Sequence, residues 1–229
     1  MIKRLLSDSL IYSGAQLLYQ GLPILLMPIY TRFLTPEQFG VFELFTILTL
    51  LVNIVITLEI SQGFARSHAD AAEGERRTYA STGLLFSAAC LCAFAVICWI
   101  APGLLSTAVT GSPQWAPDLR IAALYSVALG LFTFFQNVLR WRLRPRSVAT
   151  AAVIYVAITV VASITLLQRN PSVASVFVAH ASAALVGAVI AYILGRDYFR
   201  FAFSWPHCKD MLIFSIPLVP SSIAVFVYG

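Results

Sequence analysis

Seven long runs of apolar residues divide the chain, and short polar or charged segments separate them. The runs cover about residues 9–31, 41–62, 80–101, 119–139, 148–167, 172–195 and 211–229. Each run is long enough to cross a hydrocarbon core of roughly 30 Å as an α-helix. Lipid offers the backbone no hydrogen-bonding partners, so a segment that crosses it must satisfy its own backbone as a helix. The pattern therefore predicts an all-α fold, a polytopic transmembrane helix bundle with about seven spans.

Polar side chains recur at helical spacing on one face of the first, second and fourth spans. They are Ser9, Ser13, Gln16 and Gln20, then Glu43, Thr46, Thr49, Asn53 and Thr57, then Ser126, Thr133, Gln136, Asn137 and Arg140. Polar groups at membrane depth are costly and usually face a bundle interior or a wet cavity. Two interpretations stay open. The three faces line a common hydrophilic passage, or their side chains only hydrogen-bond to neighbouring helices.

Local signals mark the first two spans. Pro23 and Pro28 interrupt the first span and favour a bend there. Before the second span, Thr35 and Gln38 have the spacing of a capping box, with Thr35 as N-cap and Pro36 in the first helical position. We therefore expect the second helix to begin at Pro36.

Composition and charge support a membrane protein and set its orientation. The chain is 59% hydrophobic and only 11% charged, whereas soluble domains are about 25% charged. All but three of its 15 Lys and Arg residues lie on one side of the predicted spans. The positive-inside rule therefore predicts a cytoplasmic N-terminus, and the net charge of +5 indicates topology rather than nucleic-acid binding. The four cysteines lack metal-site spacing, so we predict no metal and no cofactor.

Two titratable residues inside the apolar runs are candidates for ion or proton coupling. Glu43 is a carboxylate that needs a partner, water or a proton, although a position near the helix start also lets it reach the interface. His180 lies alone in the middle of the sixth span. It is either a packed hydrogen-bonding residue or a proton relay.

Residues 29–69 carry a pattern known from a family of transporters. Tyr30, Arg32, Leu34, Pro36, Glu37, Phe39 and Gly40 follow a proline-containing first span, and Arg66 comes after the polar second span. This segment resembles the opening of bacterial polysaccharide and O-antigen flippases, which belong to the multidrug/oligosaccharidyl-lipid/polysaccharide exporter superfamily. Residues 215–222 are similar to the start of the seventh helix in that family.

The resemblance implies two six-helix lobes around a cavity that opens alternately to each side of the bacterial inner membrane. Its implied cargo is an undecaprenyl-pyrophosphate-linked oligosaccharide, flipped from the cytoplasmic to the periplasmic leaflet. Arginines suit the pyrophosphate because their guanidinium binds phosphate with two hydrogen bonds, and amides suit sugar hydroxyls. The expected substrate-binding residues are Arg32, Arg66, Arg140, Gln16, Gln20, Asn53, Gln136 and Asn137.

Family members carry about twelve to fourteen helices, so the resemblance also implies a division of this chain. Residues 1–200 are expected to form an N-terminal transmembrane lobe of six helices, and residues 201–229 a cytoplasmic connector with the start of a truncated seventh helix. One lobe cannot enclose a cavity between two lobes. We therefore expect the chain to be inactive unless it pairs with a second copy or a missing C-terminal half, and we expect membrane lipids as further partners.

Other functions are compatible with parts of the pattern. A cation-coupled multidrug exporter of the same superfamily would use deep carboxylates, for which Glu43 is a candidate. A non-transporting membrane subunit in polysaccharide biosynthesis is a further alternative. A membrane enzyme would need a catalytic cluster at an interface, but the longest predicted external loop, 102–118, offers Asp118 as its one acid and no His. We therefore predict that the protein is not an enzyme.

Overall fold

A computed structural model describes residues 2–200 and 202–228, with side-chain surroundings for 9–69, 71–72, 74–200 and 202–226. Within these residues the chain is helical and contains no β-strand, which confirms the all-α prediction. The helices are α1 (Ile2–Phe33), α2 (Pro36–Val55), α3 (Ile60–Asp70), α4 (Glu73–Ile100), α5 (Pro102–Thr110), α6 (Ala116–Trp141), α7 (Pro145–Arg169), α8 (Val173–Gly195), α9 (Trp205–Ser215) and α10 (Val219–Tyr228). The side chains of Lys3 and Arg4, which contribute to the predicted orientation, lie outside the described residues.

Seven helical segments of the described chain are long and apolar enough to cross a membrane. They are Ser9–Phe33, Pro36–Val55, Gly74–Ile100, Pro113–Trp141, Pro145–Arg169, Val173–Tyr198 and Trp205–Phe226. The last consists of α9 and α10, joined through a 3-10 turn at Ile216–Leu218. The predicted bundle of seven spans is therefore confirmed.

Six of the seven membrane-spanning helices of the described chain begin several residues before their apolar runs, whereas α8 begins at Val173, next to the predicted start at 172. The predicted capping box is confirmed: Gln38 donates its backbone N–H to the Thr35 hydroxyl, and Thr35 donates its own to the Gln38 side chain. The helix starts at Pro102 and Pro145 likewise place a proline in the first turn, where its missing N–H costs no hydrogen bond. The first turns of the six helices carry polar residues that lie outside the apolar runs, so hydropathy places these starts several residues late.

The second predicted span, 41–62, is wrong at its C-terminal end. α2 stops at Val55, and Leu58 and Glu59 then adopt left-handed backbone angles, each with φ 51°. This turn redirects the chain into α3, so Arg66 lies on a separate helix. Neither residue is a glycine, and left-handed angles cost roughly 1–2 kcal/mol for other residues. The turn is therefore a strained joint.

The core forms around α6, which packs most extensively on α8 and also contacts α2, α4 and α7. At the α6–α8 contact, the missing side chain of Gly187 lets the Phe132 ring approach the α8 backbone. α1 packs chiefly on α7. It does so through a buried row made up of Ala15, Leu22, Leu26 and Tyr30.

A second cluster joins α3, α4 and α9. Ile60, Phe64 and Met211 are fully or almost fully buried in it. A Cβ atom added at Gly63 would collide with the backbone carbonyl of Met211, so α3 and α9 touch backbone to backbone. Residues 205–215 are therefore packed directly on the preceding helices.

Candidate functional site

A cleft of about 180 Å³, with polar side chains along one wall, opens between α1, α6 and α7. We call it the α1–α6 cleft. It is lined by Ala15, Gln16, Tyr19, Phe132, Thr133, Gln136, Asn137, Arg140, Val148 and Ala152. Four of the eight predicted substrate-binding residues are among them: Gln16, Gln136, Asn137 and Arg140.

Helical spacing puts the polar groups of α6 on the cleft wall. Thr133, Gln136, Asn137 and Arg140 follow one another at i, i+3, i+4 and i+7, so they share one face. From α1, the Gln16 side-chain oxygen accepts a hydrogen bond from the Arg140 guanidinium at 3.1 Å. This bond joins the two predicted polar faces across the mouth of the cleft.

Arg140 differs from the two arginines that follow it. Asp197 binds Arg142 at 2.8 Å and Arg144 at 3.2 Å, so one carboxylate serves both guanidinium groups. Arg140 is exposed, and among the described residues it is paired with no carboxylate. Its charge is therefore available to an anion that enters the cleft.

Gln136 adds an unused acceptor. Its side-chain nitrogen donates to the Val148 carbonyl at 3.4 Å, which fixes the orientation of the amide. Its side-chain oxygen is buried and accepts no hydrogen bond from any described residue. A buried polar atom without a partner is unusual, and water or a ligand hydroxyl would satisfy it. The cleft thus combines a free cation with open amide groups.

The remaining predicted substrate residues lie elsewhere. Gln20 is exposed one turn beyond Gln16 on the same side of α1. Arg32 is exposed in the last turn of α1, about 24 Å along the helix from Gln16 at 1.5 Å per residue. Arg66 lies over the Phe214 ring at 4.7 Å and lines a separate pocket with Tyr79 and Asp210. The structure does not bring these residues to the α1–α6 cleft.

The polar face of α2 corrects the expectation of a passage shared by three spans. Thr49 is 1% exposed and accepts a hydrogen bond from the Ser126 hydroxyl at 3.1 Å. The Asn53 side chain donates to the Thr49 carbonyl at 2.9 Å and to the Ser126 carbonyl at 3.4 Å. These groups bind α2 to α6, so the alternative of interhelical hydrogen bonds holds here. Periodicity identified the polar face but not the helix that it meets.

The two candidates for ion coupling have opposite surroundings. Glu43 is exposed on α2, and among the described residues no hydrogen bond or ion pair reaches its carboxylate. His180 is packed in the core, where its Nε2 lies 2.8 Å from the Tyr30 hydroxyl. Their predicted coupling roles stay predictions.

Sequence reasoning missed Tyr19, which lines the cleft and stacks on Tyr155 with ring centroids 5.5 Å apart. Its position could have been predicted from the sequence, because Tyr19 follows Gln16 at i+3 and so lies on the same face of α1. Phe132, Val148 and Ala152 also line the cleft. They carry no such signal, because nothing in an apolar run shows which of its residues border a cavity.

A sequence model of the family described as polysaccharide biosynthesis protein matches residues 5–229. The chain belongs to this family. Comparisons with curated proteins and with solved structures found no match. Together with the seven apolar helices, the family match shows a multi-pass membrane protein of the polysaccharide biosynthesis family, and it confirms the resemblance drawn from residues 29–69.

Proposed function

We propose that this member of the polysaccharide biosynthesis family is a transporter that flips an undecaprenyl-pyrophosphate-linked oligosaccharide, such as an O-antigen repeat unit, across the bacterial inner membrane. The pyrophosphate binds at the mouth of the α1–α6 cleft, and the first sugar meets the amides beside it. The observation that carries the proposal is the Arg140 guanidinium, which is free of carboxylates and surrounded by amide side chains at the mouth of the cleft.

The chemistry of the cleft suits each part of this cargo. A guanidinium binds phosphate oxygens with two charge-assisted hydrogen bonds. The amides of Gln16, Gln136 and Asn137 suit sugar hydroxyls. The polyprenyl tail can stay in lipid beside α1, where Leu17 is 69% and Ile24 76% exposed. At about 180 Å³ the cleft is small. Further sugars would therefore lie outside it.

The proposed orientation agrees with where such cargo is loaded. With the N-terminus in the cytoplasm, the C-terminal end of α6 faces the cytoplasmic side, and Arg140 is one residue from that end. The cleft would then accept cargo from the cytoplasmic leaflet. The proposal assigns the cleft no chemical step, so the protein acts as a transporter and not as an enzyme.

Binding of farnesyl pyrophosphate to the purified protein in detergent tests the proposal. Arg140→Gln removes the guanidinium, and a hydrogen bond to a charged group contributes roughly 1.5–3 kcal/mol. We expect the Kd to rise by about ten- to a hundredfold. Arg146→Gln is the matched control, because Arg146 is exposed on α7 and does not line the cleft.

A second variant keeps the Arg140 guanidinium and neutralises its charge instead. Gln16→Glu places a carboxylate where the Arg140 guanidinium now meets an amide, so it should weaken binding through pairing with Arg140. Equal affinities of the Arg140→Gln and Arg146→Gln variants would contradict the proposal. So would farnesol binding as tightly as farnesyl pyrophosphate. Competition by a cationic dye instead would favour the multidrug-exporter alternative.

A further inference from the structure

His180 connects three helices inside the bundle. Its Nε2 lies 2.8 Å from the Tyr30 hydroxyl, and that hydroxyl lies 3.1 Å from the Ser163 hydroxyl. α8, α1 and α7 therefore meet at one hydrogen-bonded group. The rings of Phe42 and Tyr125 enclose it, the latter with its centroid 5.3 Å from that of the imidazole.

The other ring nitrogen of His180 is buried and has no hydrogen-bond partner among the described residues. A buried N–H without an acceptor is rarer in proteins than a buried acceptor without a donor. The favoured tautomer therefore carries its proton on Nε2, which donates to Tyr30, while Tyr30 donates to Ser163. This leaves a bare lone pair on Nδ1, which is the basic atom of a neutral imidazole.

A row of tyrosines leads from the α1–α6 cleft toward this atom. Tyr19 lines the cleft, and its hydroxyl shares a hydrogen bond with that of Tyr155. The Tyr155 hydroxyl shares another with that of Tyr125, whose ring contacts His180. Phenol hydroxyls both donate and accept, so such a row can pass a proton as far as Tyr125. The last transfer, to Nδ1, is made by the water that reaches the ring when the lobe opens.

We propose that Nδ1 of His180 is a buried proton-binding site, supplied from the cleft through Tyr19, Tyr155 and Tyr125. Coupling of this site to cargo rests on the proposed function, whereas the proton site itself does not. The proton comes from water in the cleft, the ring gains one positive charge, and the same proton returns to water on release.

Binding of this proton favours a different arrangement of the helices. The titratable groups that face the ring are phenols: Tyr30 from α1, Tyr125 from α6 and, behind them, Tyr155 from α7. α2 contributes the Phe42 ring, and Glu43 beside it is exposed. The protonated ring therefore holds an N–H with neither an acceptor nor a counter-charge. That form is stabilised only when water reaches Nδ1, so proton uptake favours opening of the lobe.

The direct test is nitrogen NMR of the histidine ring. The chain has three histidines, so the double variant His68→Gln, His207→Gln leaves His180 as the single labelled one. At high pH we expect the chemical shift of Nδ1 to be that of an unprotonated ring nitrogen. As the pH falls, we expect a single titration to the doubly protonated ring while the protein stays folded. A ring that stays neutral until the protein unfolds would overturn the proposal.

The route is tested separately with Tyr155→Phe, which keeps the ring but removes the hydroxyl. We expect slower proton exchange at His180 in this variant, and unchanged exchange would refute the tyrosine route. Calorimetry of farnesyl pyrophosphate binding in two buffers of different ionisation enthalpy then counts the protons taken up. We expect uptake to be lost in His180→Gln and kept in His68→Gln. Binding without uptake in the wild type would refute the coupling alone, whereas no binding at all would refute the proposed function.

Discussion

Tyr30→Phe removes one buried hydroxyl and keeps the aromatic ring. In the structure that hydroxyl bonds to His180 and Ser163, and Tyr30 itself is 3% exposed. The edge-to-face contact of the ring with Phe42, at 5.2 Å between centroids, stays possible in the variant. The substitution therefore isolates the two interhelical hydrogen bonds from the packing around them.

The expected loss of stability has two parts, the lost hydrogen bonds and the cost of the polar group that keeps no partner. Interhelical hydrogen bonds in a membrane contribute about 0.6 kcal/mol each on average, and up to about 1.7 kcal/mol. The variant also leaves the His180 Nε2 group buried without a partner, which costs roughly 1–3 kcal/mol. These terms overlap, so we expect the free energy of unfolding to fall by about 1–3 kcal/mol.

Reversible unfolding in mixed micelles with increasing sodium dodecyl sulfate measures this difference. Tyr192→Phe is the matched control, because the Tyr192 ring packs on Phe135 and Phe199 and no described residue hydrogen-bonds to its hydroxyl. We expect the control to change stability by less than about 0.5 kcal/mol. If Tyr30→Phe lost no more than the control, the hydrogen bonds would not hold α1 in place.

Two further substitutions and their controls test the packing and the charges at the α3 end of the bundle. Gly63→Ala should destabilise by roughly 1–3 kcal/mol, because its Cβ collides with the Met211 carbonyl and forces α3 from α9. Gly40→Ala is the control. Its free energy of unfolding should rise by up to about 1 kcal/mol, since the added Cβ meets nothing within 4 Å. Burial lowers the pKa of His68 below the ordinary histidine value of 6.5. The unfolded chain therefore binds the proton more tightly, and stability falls as the pH drops below that value. Between about pH 7 and pH 5, the melting temperature of His68→Gln should therefore fall less than that of the wild type.

Each of these expectations has a clear contrary result. Equal stabilities of Gly63→Ala and Gly40→Ala would show that α3 and α9 are not in backbone contact. Parallel pH profiles of the wild type and His68→Gln would show that His68 stays solvated in the folded protein. All three variants are compared by melting temperature in the same detergent, with helicity at low temperature as the check on folding.

The fold was predictable wherever the determining signal is local. Hydropathy identifies all seven spans because each must cover the width of a bilayer, and the Thr35 cap lies next to the helix that it starts. The joint after α2 was not predictable. Leu58 and Glu59 are common helix residues, and only tertiary packing holds them in left-handed angles. Hydropathy alone therefore extended the second span too far.

The candidate site was predictable in part for a similar reason. Spacing places Gln136, Asn137 and Arg140 on one face of α6, and the cleft collects all three. The same spacing cannot show which neighbour a face meets, and Asn53 therefore turns out to contact α6. The contact between Tyr30 and His180 joins positions 150 residues apart, for which the sequence carries no signal.

The prolines of α1 divide this helix into parts with different mechanical properties. A proline has no N–H, so Pro23 and Pro28 leave the carbonyls of Tyr19 and Ile24 without their helical partners. Bending stiffness is therefore lowest between the half of α1 that borders the cleft and the end that Tyr30 fastens to α7 and α8. A tilt of the cleft-side half about these prolines would change the width of the cleft mouth while Tyr30 keeps the far end in place.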